Sequence, residues 1–205
     1  QIVSSNNHAL LALARQFGAE VVNLGIVRDT LKATERAIAK ARHADILVTS
    51  GGASVGDHDV VQEALRNSGV AIDFWKIAMR PGKPFMFGRR GRQRVLGLPG
   101  NPVSALVCAR LFLKPLLDAL LGLPVGDESA GARLGADMPA NDGRQDYVRA
   151  TLAMSADGAR TATPFGRQDS SMQRTFRCSQ CLIVRAPNAA PASAGDMVRI
   201  LLLDF

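Results

Sequence analysis

The stretch Val95-Leu-Gly-Leu-Pro-Gly-Asn-Pro-Val-Ser104 decides the fold of the chain around it. Its first four residues are an apolar run, which predicts a buried strand. Pro99-Gly100 ends that strand. Asn101 followed by Pro102 favours a helix start, because Asn is a common cap and a proline at the first helical position gives up no hydrogen bond. A strand that leads through a tight turn into a helix brings free N–H groups and the positive end of the helix dipole together, which suits an anion.

The helix that follows is expected to run to Leu121. Arg110, Lys114 and Asp118 recur every four residues and predict one solvent-facing stripe, while Ala, Val, Leu and Phe fill the other positions. Pro115 lies inside this helix and predicts a kink near Lys114, because proline lacks the N–H that the helical ladder needs. Taken alone, the stretch fits an ordinary strand-to-helix connection as well as an anion site.

The composition favours a folded protein with an anionic ligand. The 205 residues allow one large domain or two small ones, and 47% hydrophobic residues are enough for a packed core. Only 5% of the residues are aromatic and no helix-turn-helix, zinc-finger or RNA-binding signature occurs, so nucleic acid is not the expected partner. The net charge of +7 includes a basic cluster from Arg80 to Arg94, which fits an anionic ligand or a solvated edge. No uncharged apolar run has the length of a membrane span, so no membrane partner is expected.

The three cysteines indicate neither a disulfide framework nor a metal centre. Cys178 and Cys181 form one Cys-x-x-Cys, but a structural zinc site needs four ligands and the sequence offers no second pair. A thioredoxin-like redox motif would open a helix, whereas an apolar strand pattern follows here. An odd number of cysteines without a signal peptide fits a reducing cytoplasm, and the role of the Cys-x-x-Cys pair stays undefined.

Helical and apolar segments alternate through the first part of the chain. Helices are predicted over residues 7–17, 30–43 and 59–67, and strands over 20–27, 45–49, 71–79, 84–88 and 95–98. Near-continuous apolar strands that alternate with helices predict a parallel sheet covered on both faces, that is, a three-layer α/β domain with right-handed crossovers.

After residue 122 the pattern changes. Residues 122–141 are rich in Gly, Pro, Ala and Asp and predict a linker with loops. Strands are predicted over 145–152, 159–163, 181–185 and 197–203, with Asp157-Gly158 as a hairpin turn. These segments predict a second, small, all-β domain, so the expected domains are residues 1–122 and 123–205.

Four segments carry candidate binding residues, and ligands of open parallel sheets bind beyond the carboxyl ends of the strands. The first segment is the loop 50–59, whose glycines allow close backbone approach and whose serines offer hydroxyls. These residues are Gly51, Gly52, Gly56, Ser50 and Ser54. Asp57 and Asp59 precede the next helix, where they either hold a hard cation or only cap the helix. His58 could act as a base, and a solvent-facing side chain is the simpler interpretation.

The other three segments add cations and a carboxylate. In Arg80-Pro-Gly-Lys-Pro84 the prolines stiffen a turn that holds Arg80 and Lys83 apart at a fixed distance, which suits a phosphate; two solvated charges on a turn are the alternative. The turn Pro99–Ser104 is the third segment. Asp29, which follows a predicted strand, either ligates Mg²⁺ or caps the next helix. Together these segments predict a site for a phosphate-bearing anion with a divalent metal, with the reaction undefined.

Three motifs in this order and spacing resemble molybdopterin molybdenumtransferase, the bacterial family related to the E domain of gephyrin. They are Ser50-Gly-Gly-Ala-Ser-Val-Gly-Asp-His-Asp59, Met79-Arg-Pro-Gly-Lys-Pro84 and Gly97-Leu-Pro-Gly-Asn-Pro-Val-Ser104. The C-terminal part of the chain is also similar to this family, to its small β-barrel-like domain. It implies a cytoplasmic transferase that uses Mg²⁺ to convert adenylylated molybdopterin and molybdate into molybdenum cofactor and AMP. It also implies a homodimer of the full-length protein, with other molybdenum cofactor biosynthesis proteins as candidate partners.

The resemblance also implies roles for single residues. Asp59 and Asp29 match the family's catalytic carboxylates, which lie near the metal. Lys83 and the loop that begins at Ser50 match the surroundings of the pterin phosphate and the nucleotide, and the prolines of the Pro99–Pro102 turn match a molybdate pocket. The full set of expected substrate-binding residues is Ser50, Gly51, Gly52, Ser54, Gly56, Arg80, Pro81, Gly82, Lys83, Pro99, Gly100, Asn101, Pro102 and Ser104.

The chain departs from the family pattern in two ways. Arg80 stands where the family often has Lys, so a planar guanidinium group takes the place of a compact ammonium group. The family's pterin domain begins with a strand ending in Thr-Gly-Asp-Glu, after two further domains, so the chain is expected to be a C-terminal fragment that lacks the first strand and is inactive alone. Two alternatives stay open: a molybdopterin-binding scaffold without turnover, and a molybdopterin adenylyltransferase, a relative that lacks the β domain.

Overall fold

A computed structural model describes residues 5–51, 60–156 and 158–203 of the chain. The chain divides into two compact units, residues 1–77 with 82–123, and residues 78–81 with 124–205. The sequence-based division placed residues 78–81 in the first domain, whereas here they belong to the second unit. Within the described residues, no helix is both long and apolar enough to cross a membrane.

The helices and strands are, in chain order, α1 (Ser5–Gln16), α2 (Leu31–Lys40), β1 (Ile46–Ser50), α3 (Val60–Asn67), β2 (Ala71–Trp75), β3 (Met79–Arg80), β4 (Met86–Arg90), β5 (Gln93–Leu98), α4 (Pro102–Cys108), a π-helix (Ala109–Leu113), α5 (Lys114–Leu120), β6 (Ser129–Leu134), β7 (Gln145–Met154), β8 (Arg160–Pro164), α6 (Gln173–Arg177), β9 (Cys181–Arg185) and β10 (Met197–Leu202).

The sheet of the first unit has the strand order β1-β5-β4-β2. β1 and β5 are parallel, with Ser50 opposite Leu98 at the shared carboxyl edge. β4 pairs antiparallel with β5 and with β2. The predicted α/β class is confirmed, and the sheet is mixed rather than parallel throughout. Only Gly91 and Arg92 separate β4 from β5, and a connection this short allows a hairpin but no crossover helix.

Helices cover both faces of this sheet. One apolar cluster joins the sheet to α2 and α3 and the residues just after them; it consists of Ile38, Ala41, Leu47, Ala64, Leu65, Val70, Met86 and Val95. Because successive strand residues point to opposite faces, Leu96 and Leu98 face the other side, and both are buried. α4 contacts β5 and also contacts α1, so this second helix pair completes the three layers.

Residues 20–27 are not a strand, so that prediction is wrong. No described strand pairs with them, and Ile26 is 81% exposed. An apolar run becomes a strand only where a neighbour supplies ladder hydrogen bonds. Here Asn23 fixes the local backbone instead, since its Oδ1 accepts hydrogen bonds from Asn7 Nδ2 at 3.2 Å and from the Gly25 N–H at 2.8 Å.

The predicted long helix exists and changes its geometry just before Pro115. Just before this proline the helical hydrogen bonds change from the α-helical to the wider π-helical pattern. There the Lys114 N–H donates to the Ala109 carbonyl. The predicted solvent-facing stripe is wrong, because Arg110 and Asp118 are only 5% and 9% exposed. The Lys114 ammonium lies 2.8 Å from the Asp118 carboxylate, and this ion pair balances the charge of the buried carboxylate.

The second unit is a closed barrel, which confirms the predicted all-β domain. Its strand order is β3-β7-β8-β6-β10-β9, and β7 also pairs with β9, so the sheet closes on itself. β6 was predicted as part of a linker, α6 was not predicted, and the expected strand 71–79 is in fact split between β2 and β3. The turn residue Asp157 lies outside the described residues. The barrel core consists of Ala132, Leu134, Val148, Ala150, Ala162, Cys181, Ile183 and Ile200.

Candidate functional site

Gly51, the residue after β1, lies beside the end of β5 and the turn that follows it, at the carboxyl edge of the first sheet. The Gly51 N–H donates to the Leu98 carbonyl at 3.1 Å, which continues the parallel pairing beyond β1. Gly51 has a φ of +81°, and a Cβ added to Gly100 would lie 3.5 Å from the Gly51 Cα. The two backbones are thus close enough that a Cβ on Gly100 would be in van der Waals contact with Gly51, and the left-handed φ at Gly51 favours glycine there. The structure therefore brings together two of the predicted binding segments.

Asn6, which the sequence did not single out, connects the last residue of β1 to the turn after β5. Its Nδ2 donates to Ser50 Oγ at 2.9 Å and to the Gly100 carbonyl at 2.8 Å. Ser50 Oγ in turn donates to the Pro99 carbonyl at 3.4 Å. An Asn in the first turn of a helix looks like a simple helix start, so no sequence signal marks these contacts.

The turn between β5 and α4 takes the predicted form at its backbone. Pro102 is the first residue of α4, and Asn101 occupies the N-cap position with φ −66° and ψ 127°. The position of the N-cap residue was therefore predicted correctly. The expected capping contact is absent, because the Asn101 side chain makes no capping hydrogen bond. Pro99 and Ser104 are buried, which assigns them to the packing of the turn.

Arg80 and Lys83 lie in different environments. Arg80 belongs to β3, and its guanidinium donates to Asp142 at 3.3 Å and to Asn141 at 3.3 Å, and pairs with the buried Asp146. All of these partners belong to the second unit. Lys83 is exposed, belongs to the first unit and forms no ion pair with any described residue. Arg80 is thus held by carboxylates, whereas the Lys83 ammonium is accessible.

Pro81 and Gly82 connect these two cations. The Arg80–Pro81 peptide bond is cis, and Gly82 is buried with a φ of +119°. The carbonyl of Lys83 accepts a hydrogen bond from the Ile77 N–H at 3.0 Å, which closes this turn within the first unit. The turn therefore has a defined backbone, as the two prolines predicted.

Of the two predicted metal-binding carboxylates, the structure describes only Asp29. Asp29 is exposed in the turn before α2, where Thr30 occupies the N-cap position. Asp59 lies outside the described residues, together with Gly52, Ser54, Gly56, Asp57 and His58. Across 5–51, 60–156 and 158–203, no group of three or more His, Cys, Asp or Glu side chains is placed to hold a metal. The described part of the chain therefore does not complete a metal site by itself.

The cysteines are free thiols. Burial raises the pKa of the Cys108 thiol to about 12 and that of the Cys181 thiol to about 11, while Cys178 is exposed. Cys181 Sγ lies 3.8 Å from the Ala150 carbonyl, to which it donates. A buried thiol with a raised pKa is a poor nucleophile, which applies to Cys108 and Cys181.

Comparison with known proteins places both units in one family. Residues 1–119 match the probable molybdopterin binding domain, and residues 131–203 match the MoeA C-terminal region (domain IV). The molybdopterin molybdenumtransferase of Haemophilus influenzae is 36% identical over 203 residues, which are 98% of this chain and 50% of that protein. The corresponding protein of Nostoc sp. is 41% identical over 158 residues, 74% of this chain and 36% of that one.

A solved structure agrees with both matches. The molybdopterin biosynthesis MoeA protein from Pyrococcus horikosii superimposes with a TM-score of 0.83 at 26% identity, over 100% of this chain and 49% of that one. The chain thus spans about half the length of the Haemophilus and Pyrococcus proteins. The two matched domains follow each other in the order that the relatives have, and the chain belongs to the molybdopterin molybdenumtransferase family.

Proposed function

We propose that the chain contributes the nucleotide-binding part of a molybdenum-inserting enzyme. The reaction takes adenylylated molybdopterin and molybdate, with Mg²⁺, and gives molybdenum cofactor and AMP. One observation carries the proposal: Gly51, just after β1, is hydrogen-bonded to Leu98 at the end of β5, so the chain leaves both strands side by side at the sheet edge. Parallel α/β sheets bind their ligands at this edge, and membership of the family supplies the ligand class.

The described residues support binding and orientation of a phosphate. Gly100 is exposed in the turn that leads into α4, and the exposed Lys83 ammonium offers a point charge to phosphate oxygens. Arg80 is less suited to this role than the sequence implied, because Asp142 and Asp146 already hold its guanidinium. Charge stabilisation of this kind assists departure of AMP without a nucleophilic side chain.

Mg²⁺ and molybdate belong to the proposal as well. Asp29 is exposed and offers an oxygen ligand of the kind that Mg²⁺ prefers, and Asp59 is proposed as the second carboxylate. Bound Mg²⁺ would neutralise charge on phosphate oxygens. Pro99 and Pro102 are proposed to shape the molybdate pocket. The family resemblance further supports a cytoplasmic homodimer of the full-length protein that works with other cofactor-biosynthesis proteins.

Calorimetric titration of adenylylated molybdopterin into the chain, with and without Mg²⁺, tests this function. We expect binding that tightens with Mg²⁺, and loss of that tightening in Asp59→Asn. Lys83→Met should weaken binding by about tenfold, which corresponds to one hydrogen bond to a charged group. Lys32→Met, at an exposed lysine of α2, is the matched control and should bind like the wild type.

Each result has a definite meaning. Absence of binding by the wild-type chain, or equal binding by Lys83→Met and the wild type, would contradict the proposed site. Binding by a full-length enzyme without release of AMP in the presence of molybdate would favour the scaffold interpretation. The adenylyltransferase alternative is less favoured, because residues 131–203 match the MoeA C-terminal region, and the adenylyltransferase relative is expected to lack this β domain.

A further inference from the structure

We infer that Asn6 is a positioning residue of the candidate site, which fixes the carboxyl end of β1 to the turn after β5. The inference rests on the proposed function for its ligand, though not for its geometry. Asn6 lies in the first turn of α1, and its two partners, Ser50 and Gly100, are 44 and 94 residues away in the chain. A single side chain therefore joins three separate segments at the sheet edge.

The orientation of the Asn6 amide follows from its partners. The Gly100 carbonyl can only accept, so the atom 2.8 Å from it must be the amide nitrogen and not the oxygen. The second Nδ2 hydrogen is donated to Ser50 Oγ at 2.9 Å. Because Ser50 Oγ accepts from Asn6, its own hydrogen is free to point at the Pro99 carbonyl, 3.4 Å away. The hydrogen bonds thus run in one direction, from Asn6 through Ser50 to Pro99.

These contacts hold backbone that would otherwise depend on few bonds. The Gly51–Leu98 hydrogen bond ties the residue after β1 to the end of β5, and Gly51 has a left-handed φ of +81°. Asn6 adds links on both sides of that hydrogen bond, at Ser50 and at Gly100. A site whose backbone is fixed before the ligand arrives spares the ligand the entropic cost of ordering it. Loss of Asn6 should therefore weaken ligand binding even though the side chain need not touch the ligand.

Titration of AMP into the 205-residue chain measures this effect, with AMP as a stable probe of the nucleotide end. Asn6→Ala should weaken AMP binding by about tenfold, since two hydrogen bonds are lost. Asn6→Asp should weaken it at least as much, because a carboxylate has no hydrogen to donate to the Gly100 carbonyl. Asn7→Ala is the matched control: it removes the neighbouring amide of the same helix, whose partner is Asn23, and should change binding by less than about twofold.

Amide hydrogen exchange supplies a readout that needs no ligand. In Asn6→Ala, exchange of the Gly51 N–H should accelerate by about tenfold, while exchange within β5 stays unchanged. Ser50→Ala leaves the Asn6–Gly100 hydrogen bond intact and should accelerate exchange less. The double variant should accelerate it at least as much as Asn6→Ala, because it also loses the hydrogen bond from Ser50 to the Pro99 carbonyl. This milder variant keeps the test decisive if Asn6→Ala folds poorly.

The outcomes separate the two claims. Unchanged Gly51 exchange in both Asn6→Ala and Ser50→Ala would overturn the positioning role, as would wild-type AMP affinity in Asn6→Ala. Failure of the wild-type chain to bind either AMP or adenylylated molybdopterin would contradict the proposed function, while Gly51 exchange would still decide the role of Asn6.

Discussion

Asp142 lies between two arginines in the second unit. The Arg144 guanidinium donates to its carboxylate at 2.7 Å, and Arg80 donates at 3.3 Å. Hydrogen bonds from Arg144, with the charges of Arg144 and Arg80, lower the pKa of Asp142 from 3.8 to about 2. A carboxyl whose pKa is lower in the folded state stabilises the fold above its unfolded pKa. That contribution is lost as the pH falls from about 4 towards 2.

Replacement of Arg144 tests whether the two arginines lower the pKa of Asp142. In Arg144→Ala the pKa of Asp142 should rise towards 3.8 and stay below it, because Arg80 remains 3.3 Å away. Carbon-detected NMR titration of the Asp142 carboxyl measures the change directly. Arg167→Ala, at an exposed arginine of the same unit, should leave the pKa of Asp142 as it is in the wild type. An unchanged pKa in Arg144→Ala would show that the arginines do not set it.

The attachment of α2 to β5 depends on one buried side chain, that of Gln93. Its Nε2 donates to the carbonyls of Ala41 and Ala44 at 2.6 and 2.8 Å, and its Oε1 accepts from Arg90 at 2.8 Å. Ala41 ends α2, and the last carbonyls of a helix have no partner within the helix itself. Gln93 therefore gives the Ala44 carbonyl a partner, and it gives a second one to the Ala41 carbonyl, which also accepts from the Ala44 N–H at 3.2 Å.

Substitution of Gln93 should lower the stability of the first unit. We expect Gln93→Ala to reduce the free energy of unfolding by about 1–3 kcal/mol, the cost of leaving buried polar groups unpaired. Gln93→Glu should reduce it further, because a carboxylate would face two carbonyl oxygens. Urea unfolding measures both changes. Arg92→Ala, at an exposed neighbour, should stay within about 0.5 kcal/mol of the wild type, and an equal response of Gln93→Ala would contradict this account.

A sequence pattern predicts a helix or strand correctly when the interactions that stabilise the element are local. Apolar runs and helix-start residues located α1, α2, β1 and α3 to within a few residues, because burial and capping are local. The apolar run 20–27 gave a wrong strand prediction, because a strand also needs a pairing partner that a sequence pattern does not reveal. Residues 71–79 read as one strand, yet Met79–Arg80 pairs with β7 of the barrel. In both segments, 20–27 and 71–79, the structure depends on pairing with a distant segment and not on local strand propensity.

For the molecule as a whole, motif order predicted the edge of the sheet where the candidate site lies. That prediction was possible because the carboxyl ends of parallel strands share one edge, so the loops after Ser50 and Leu98 had to be neighbours. The sequence could not reveal that Asn6 joins these loops or that Asp146 holds Arg80, since these contacts span 44 to 94 residues of chain. Side-chain contacts at such separations follow from packing, and no local pattern encodes them.

Mapping of AMP on the chain by amide NMR shifts tests the central claim most directly, because it locates the ligand without relying on activity. The account predicts that the largest amide shifts on addition of AMP fall on Gly51 and on Gly100, Asn101, Val103 and Ser104, at the shared edge of β1 and β5. Shifts confined to the basic hairpin around Arg89–Arg94, or to the strands of the barrel, would contradict the assignment of this edge as the nucleotide site.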